Sequence, residues 1–431
     1  MEKELIIVFT YRYPYNPPTE QFFDIEMEYW LREEVDIVIV PIARDYNISN
    51  TYDRIPNNKT KVIPLKRESR IKEVFIAALK CPDYLGSLIH DFRRLDNCVE
   101  KNHYYEGVKY TLQQYLQGES LFQDIKKQIP ITKLSGYSRI ILYSYWFNSV
   151  ATSIAFYKKY LKSKGIKNVI AVSRAHGDGD LYVKGMKCYR PSLMILSSNF
   201  DKVFSVSENG IKYLKKQGID NVELARLGVK EGKKLVRNTN RDYLQIVSCS
   251  VINENKRVIK IAEALKQITD IKIRWTHFGN GPLEENLKIW CENNLGRNIQ
   301  YVLNGYTQNS DIRKFYIEET PDLFINVSIM EGIPVSIMEA MSYSIPTIAT
   351  NVGATSEIVE ENVNGYLIPQ LFEVDVLKEL LVGYWNTSSP EIEQLRLNAY
   401  NCWKSKYNAD LNFGKFVQNN LVKNENNNNK I

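Results

Sequence analysis

Two glutamates set eight residues apart carry the clearest chemical signal in the chain. They stand in Ser328-Ile-Met-Glu331-Gly-Ile-Pro-Val-Ser-Ile-Met-Glu339-Ala-Met-Ser. A β-branched run ends near Val327, a Gly-Ile-Pro turn follows, and Val335, Met338 and Met341 then recur at helical spacing. Pro334 suits the opening of a helix, where its missing N–H costs nothing. The amides of Gly332, Ile333, Val335 and Ser336 then gather at a positive helix end, which attracts a phosphate. Carboxylates make poor phosphate ligands but good acceptors for hydroxyls. A pair bracketing an anion site therefore suits the groups that flank a diphosphate, a sugar on one side and a ribose on the other. A capping glutamate followed by a surface glutamate would show the same spacing.

Several further residues could join such a site. Lys256 lies in Ser248-Cys-Ser-Val-Ile-Asn-Glu-Asn-Lys256-Arg257-Val258, a turn leaving a strand, where an ammonium can neutralise a diphosphate as a mobile point charge. Gly279 and Gly281 form a Gly-x-Gly turn after another strand, where a missing side chain permits close backbone approach. The third glycine of a dinucleotide fingerprint is missing. His176 sits in Ser173-Arg174-Ala-His176-Gly-Asp178-Gly-Asp180, a glycine-flanked loop at the end of a strand, where ligands gather in α/β folds. Glu20 precedes a helix after the loop Tyr13-Pro-Tyr-Asn-Pro-Pro-Thr, and a carboxylate there suits the helix end as well as it suits a ligand.

The Glu-x7-Glu segment, followed by P-T-I-A-T-N-V-G-A-T-S-E-I-V and N-G-Y-L-I, resembles the donor-site signature of the retaining glycosyltransferases of family 4, which have the GT-B fold. The likeness runs through most of residues 244–370. It implies that Glu331 contacts the transferred sugar at the reacting centre and that Glu339 holds the ribose hydroxyls. The Gly332–Ser336 segment, including Ile333, Pro334 and Val335, would take the diphosphate or sugar hydroxyls. Lys256 would face the diphosphate. The family commonly places an arginine five or six residues before this lysine, where Val251 and Ser250 stand here, so Arg257 becomes the candidate substitute. Gly279 and Gly281, with Asn304 and Gly305, resemble turns near the nucleotide base. The His176 segment resembles the R-A-H-G-x-D-x-Y loop of a bacterial branch of the family. That likeness places His176 on the donor sugar from across the cleft and Arg174 and Asp178 on the acceptor side, while Glu20 resembles an acceptor-side residue that family members carry just before the first helix.

These residues need a scaffold of parallel strands. Leu5–Phe9, Val35–Pro41, Arg139–Tyr143 and Asn168–Val172 are short β-branched runs separated by helical pattern, with a crossover helix over Val150–Gly165. Residues 70–130 read as helical. A second series begins at Leu244–Ser248 and continues at 271–278, 299–302, 323–327, 347–350 and 365–368. The expected fold is α/β: two Rossmann-like, doubly wound domains facing across a cleft. Residues 1–228 form the acceptor-binding domain, 229–241 a charged linker and 242–400 the nucleotide-sugar domain. A C-terminal helix over 401–422 returns toward the first domain, and 423–431, rich in asparagine, form a disordered tail.

Composition bounds the function. The 431 residues are 44% hydrophobic and 25% charged, without a stretch of 18 apolar residues, which excludes a membrane-spanning helix. The acidic start runs straight into an apolar β-branched run and is expected to be a strand rather than a secretory signal. Six scattered cysteines and four histidines lack staple or metal spacing, so the thiols read as reduced and the protein as cytoplasmic. The net charge of +6 is uneven: residues 1–50 carry −6, residues 51–210 carry +12 and the remainder balances. The basic middle is either a solvated face or one that meets phosphate, on an anionic membrane or acceptor. Nothing resembles a nucleic-acid recognition element. What the resemblance implies is a retaining, metal-independent transfer from a UDP- or GDP-sugar to a glycan or lipid-linked glycan in bacterial surface polysaccharide synthesis. No cofactor is needed beyond that donor. The alternatives are a sugar-nucleotide epimerase or phosphorylase on the same fold and a non-catalytic nucleotide-binding module.

Overall fold

The β-branched runs become parallel strands. The computed structural model describes residues 3–15, 20–43, 60–65, 84–177, 189–235 and 242–421. The chain divides into two units, Met1–Arg226 together with Phe413–Ile431, and Leu227–Asn412.

The first unit is built on β1 (Glu4–Thr10), β2 (Asp36–Pro41), β3 (Thr60–Val62), β4 (Arg139–Ser144), β5 (Val169–Ala175), β6 (Lys202–Ser205) and β7 (Val222–Leu224). The sheet order is β3-β2-β1-β4-β5-β6-β7, all parallel. Its helices are α1 (Gln21–Trp30), α2 (Leu85–Cys98), α3 (Tyr104–Gln128), α4 (Ser149–Ser163), α5 (Leu193–Asn199) and α6 (Glu208–Lys216). Central strands are buried along their whole length, as helices on both faces require. Asn148 starts α4 by accepting the Val150 amide at 3.1 Å, and Gly118 of α3 lets α4 close in, since a Cβ there would stand 2.7 Å from Thr152. The expected helical stretch over 70–130 is α2 and α3 within the described residues.

In the second unit the strands are β8 (Leu244–Cys249), β9 (Ile273–Phe278), β10 (Ile299–Leu303), β11 (Leu323–Asn326), β12 (Thr347–Thr350) and β13 (Gly365–Ile368), in the order β10-β9-β8-β11-β12-β13. Its helices are α7 (Ile259–Lys266), α8 (Glu284–Asn294), α9 (Asn309–Glu319), α10 (Val335–Ser342), α11 (Val374–Asn386) and α12 (Ser389–Cys402). A capping box at Ser388 and Glu391 starts α12.

Both sheets reverse strand order beside their first strand, between β1 and β4 and between β8 and β11. Ligand sites in open α/β sheets form at the carboxyl ends of the strands flanking that point.

Two boundaries differ from the expectation. The described part of the anticipated linker, 229–235, belongs to the second unit. The Val229 amide donates to Tyr407 O at 3.0 Å, the Ala409 amide donates to Val229 O at 3.1 Å, and the Trp403 indole donates to the same carbonyl at 3.2 Å. A charged, aperiodic stretch can still be held by its backbone, which periodicity does not report. The expected helix over 401–422 is broken: a π-helical turn spans Trp403–Tyr407, α13 spans Ala409–Phe416, and a second π-turn spans Val417–Leu421. From Phe413 onward the chain groups with the first unit, and Phe413 lies 6.0 Å from the Tyr29 ring while Phe416 lies 4.9 Å from Phe204 and 5.9 Å from Tyr143. Residues 236–241 and the expected tail lie outside the described residues.

Candidate active site

In the second unit, the loops after β8 and β11 bring Lys256 and Glu331 together. The Lys256 ammonium donates to Glu331 Oε1 at 2.5 Å. Asn326 Nδ2 donates to the same oxygen at 3.1 Å, and the Ser328 hydroxyl lies 2.7 Å from it. All these contacts fall on Oε1. Glu331 is buried, and the Lys256 ammonium and the Asn326 amide satisfy one oxygen of a charge that burial alone would penalise, while the single Ser328 proton is shared between that oxygen and Asn326 Oδ1, also 2.7 Å away.

The neighbours of Lys256 fix the loop that carries it. Asn255 clasps the β11 loop, its side chain accepting the Met330 amide at 3.0 Å and donating to Met330 O at 3.1 Å. The Asn255 carbonyl accepts the Ile329 amide at 2.7 Å. Arg257, with φ +46, turns back and donates to Val327 O, Ser328 O and Gln370 O at 2.8, 3.3 and 2.9 Å. Arg257, the candidate substitute for the phosphate-clamp arginine, is held here by the backbone of its own unit. Three of its five donors are committed to backbone carbonyls, and burial lowers its pKa. It braces the loop on one side of Lys256 while Asn255 braces the other.

Pro334 precedes α10 with extended backbone, and Val335 and Ser336 occupy the first two helical positions, where amides lack intrahelical acceptors. Gly353, with φ +57, makes room for this turn: a Cβ there would stand 1.8 Å from Glu331 O. The Ala354 amide donates to Gly332 O at 3.0 Å, so the loop after β12 backs the Glu331–Gly332 peptide.

Glu339 lies inside α10. Its carboxylate accepts from Asn309 Nδ2 at 2.6 Å. Burial raises its pKa, opposed by the Asn309 hydrogen bond and the nearby Arg313 charge.

The glycine turns serve the scaffold. A Cβ on Gly279 (φ +126) would stand 2.0 Å from Ser250 O, and one on Gly281 would stand 2.3 Å from Ile252 O. The β8 and β9 loops lie backbone against backbone there, with the Ser250 amide donating to Phe278 O and the Ile252 amide to Asn280 O at 3.0 and 2.9 Å. The Gly279 amide donates to Gly305 O at 2.8 Å, and the Asn304 amide to His277 O at 2.9 Å. Asn304 and Tyr306 remain exposed.

Beneath these loops His277 is fully buried, and burial pushes its pKa down to about 4. Ser250 O can only accept, so Nε2, 3.1 Å away, carries the proton. Nδ1 then accepts from the Ser248 hydroxyl at 2.8 Å, which itself accepts the Trp275 indole N–H at 3.0 Å. Every hydrogen in this chain of bonds is assigned by chemistry.

The first unit uses its motif residues differently. The Glu20 carboxylate is 1% exposed. It accepts the Tyr11, Arg12 and Tyr13 amides at 2.8, 2.9 and 2.7 Å and the Trp146 indole at 2.6 Å. It holds the β1 loop to the β4 loop, the framework role that a carboxylate at a helix start allows. Arg174 is likewise turned inward: fully buried, it donates to Glu26 Oε2 at 2.5 Å, and its guanidinium lies 4.0 Å from the Phe416 ring centroid. Asp178 lies outside the described residues.

His176 does stand at the end of β5, among the Tyr145, Trp146 and Phe22 rings at 4.7, 4.8 and 5.5 Å. Its Nε2 donates to Tyr145 O at 2.9 Å, making Nδ1 the lone-pair nitrogen. Burial, then the Arg174 charge, hold its pKa well below 6.5, so the ring is neutral.

Sequence reasoning missed Asn255, Asn309, Arg313, Gly353 and Glu26. Gly353 carried a visible signal, a glycine in the strand-following N-V-G-A-T turn. Among the described residues no group of three or more His, Cys, Asp or Glu side chains is arranged to hold a metal ion.

Residues 230–399 match the family described as "Glycosyl transferases group 1". Among curated relatives, the putative colanic acid biosynthesis glycosyltransferase WcaL of Escherichia coli (strain K12) is 26% identical over 194 residues, covering 42% of this chain and 47% of that protein. The UDP-Gal:alpha-D-GlcNAc-diphosphoundecaprenol alpha-1,3-galactosyltransferase of Escherichia coli is 25% identical over 198 residues, covering 44% and 50%. The match spans about half the length of these relatives. A solved glycosyltransferase from Rickettsia africae ESF-5 superimposes with a TM-score of 0.62 at 15% identity, covering 97% of each chain. That likeness concerns the fold. Residues 230–399, with the lysine and both glutamates, therefore carry the match to the glycosyl transferases group 1 family, in a chain whose two-unit α/β fold is like that of solved glycosyltransferases.

Proposed function

We propose that the chain is a retaining glycosyltransferase that moves a sugar from a nucleotide-diphosphate donor to a glycan or lipid-linked glycan in bacterial surface polysaccharide synthesis, without a metal. The observation that carries this reading is the Lys256–Glu331 contact beside the start of α10, with Glu339 one helix segment on. Lys256 and the Val335 and Ser336 amides stabilise the leaving diphosphate as preorganised electrostatics. Glu331, through Oε2, meets the transferred sugar, while Glu339 accepts the ribose hydroxyls. The resemblance assigns His176 to the same sugar, and its lone-pair Nδ1 suits a sugar hydroxyl as donor. Retention rests on the resemblance to family 4. The relatives' names support a UDP-sugar donor and a lipid-linked acceptor, with GDP-sugars the alternative donors.

The basic middle of the chain supports contact with an anionic membrane. Its Lys66–Lys72 cluster lies outside the described residues. Within them, Tyr84, Phe122, Phe156 and Met194 line a cavity of about 640 Å³ bordered by Lys126 and Lys159. Among the described residues no helix is long and apolar enough to cross a membrane.

The test is a thermal-shift panel of UDP- and GDP-sugars, because a ligand that binds only the folded state stabilises it by mass action, about 2.7 kcal/mol at a hundred times Kd. One donor class should raise the Tm, and Glu339→Ala should remove most of that rise. No shift with any donor, or an undiminished shift in Glu339→Ala, overturns the donor-site assignment. Salt-sensitive co-sedimentation with anionic but not neutral vesicles checks the membrane contact.

A further inference from the structure

Two residues outside the family-like motif converge on Glu339. Asn309 opens α9, and Arg313 follows one turn later on the same face. Arg313 Nε donates to Asn309 Oδ1 at 2.6 Å, and Asn309 Nδ2 donates to Glu339 Oε1 at 2.6 Å. An amide has one acceptor and one donor end, so the arginine decides which end faces the carboxylate.

The surroundings make that orientation matter. Glu339 is otherwise faced by Cys249 of β8, Tyr316 of α9 and Tyr343 after α10. Burial pushes the Cys249 thiol up to about 12 and both phenols above 10, so all three are neutral near pH 7. Arg313 is the cation that opposes the burial of Glu339.

We propose that Arg313 and Asn309 are positioning residues for the nucleotide ribose: Arg313 orients the Asn309 amide, and Asn309 holds the Glu339 carboxylate in the rotamer that receives the vicinal hydroxyls. This rests on the reading of Glu339 as the ribose acceptor and adds what sets its geometry and charge. One lone pair of Oε1 is taken by Asn309, leaving Oε2 and the second lone pair of Oε1 for two hydroxyls. The device lies outside the Glu-x7-Glu segment, so ribose recognition is tuned from α9 without altering the motif.

The experiment compares the affinities of UDP, GDP and ADP with those of their 2′-deoxy counterparts by calorimetry. It uses the full chain and the variants Glu339→Ala, Asn309→Ala, Arg313→Gln and Arg313→Lys. The ribo-to-deoxy ratio is read within each protein, so a general loss of folding or of phosphate binding cancels. The native ratio should exceed one for the nucleotide that binds and fall to about one in Glu339→Ala. Asn309→Ala should lose roughly tenfold of it, the worth of one charge-assisted hydrogen bond. Arg313→Gln should lose less, with Arg313→Lys between it and the native protein. Ribose binding needs the ionised carboxylate, so affinity falls as pH drops through the Glu339 pKa. Removing the Arg313 charge should move that fall to higher pH. Native ratios and an unmoved pH profile in Asn309→Ala and Arg313→Gln, with the ratio lost in Glu339→Ala, overturn the relay and leave the ribose assignment standing. A ratio that survives Glu339→Ala, or no binding of any of the three nucleotides, overturns the ribose assignment and the relay with it.

Discussion

The two units treat charged motif residues in opposite ways. In the second, Lys256 and Glu331 meet at a loop surface, with side-chain exposures of 24% and 10%, where a ligand can compete for them. In the first, Arg174 and Glu26 pair with both side chains fully enclosed. Glu20 spends its four contacts on its own scaffold. The same residue types are thus left within reach of a ligand in one unit and built into the framework in the other. What separates them is access, which burial reports and spacing does not.

The largest effect that could break this contrast lies in the buried pair. Arg174→Ala leaves Glu26 enclosed without its cation and should lower stability by about 3–5 kcal/mol, the usual cost of orphaning one partner of a buried ion pair. Urea unfolding measures it. Lys256→Ala should cost about 1 kcal/mol or less by the same measurement, since that pair is partly solvated. It should nevertheless lower kcat at least about a hundredfold, as expected for a lost transition-state contact. A stable Arg174→Ala, or a Lys256→Ala that unfolds easily, would reverse the two roles.

Next in size is a pH dependence of stability carried by the second unit. His277 has a folded pKa of about 4 against the ordinary 6.5. Between those values the unfolded chain binds the extra proton, so stability is complete above pH 6.5 and is lost as pH falls. The loss should reach about 3 kcal/mol near pH 4 at 1.36 kcal/mol per pKa unit. His277→Gln should flatten this slope in denaturant titrations between pH 7 and pH 4.5. His176, also held neutral, should leave the pH profile of turnover flat between about pH 6 and 8.

The smallest effect sharpens the contrast at one residue. Glu20→Gln retains the shape of the side chain but faces a donor toward the amides of the β1 loop. An unsatisfied buried group costs about 1–3 kcal/mol. The variant should lose that much stability while its affinity for donor nucleotide stays unchanged, as binding and unfolding titrations would show. A Glu20→Gln protein of native stability with weakened acceptor use would return Glu20 to the acceptor side.

Strand runs such as Leu5–Phe9 and Leu244–Ser248 were legible because a buried parallel strand must be apolar on both faces. β3, β6 and β7 were not: each has three or four residues and, unlike the equally short β11, β12 and β13, carries a charge, Lys61, Lys202 or Glu223, that breaks the apolar run. In the site, Glu331, Glu339 and Lys256 were legible from motif and turn chemistry. The inward turn of Arg174, near the end of β5, and of Glu20, just before α1, was not legible, because no local signal says whether a charge beside a loop turns outward or inward. Glu26, between Ile25 and Met27 in α1, reads as an exposed helix acid and is buried. Asn309 and Arg313 gain meaning only from a carboxylate 30 residues away.

The return of the chain to the first unit after Asn412 has a consequence during synthesis. Phe416, which covers the Arg174 guanidinium, is made only after the whole of Leu227–Asn412. At ~5–20 residues per second that delay is on the order of ten to forty seconds. Until then the Glu26–Arg174 pair stands without its aromatic cover, and the sheet carrying His176 waits on residues from the far end of the polypeptide. The last helix is thus a late-arriving latch: on the ribosome, the first unit to be made is the second to be finished.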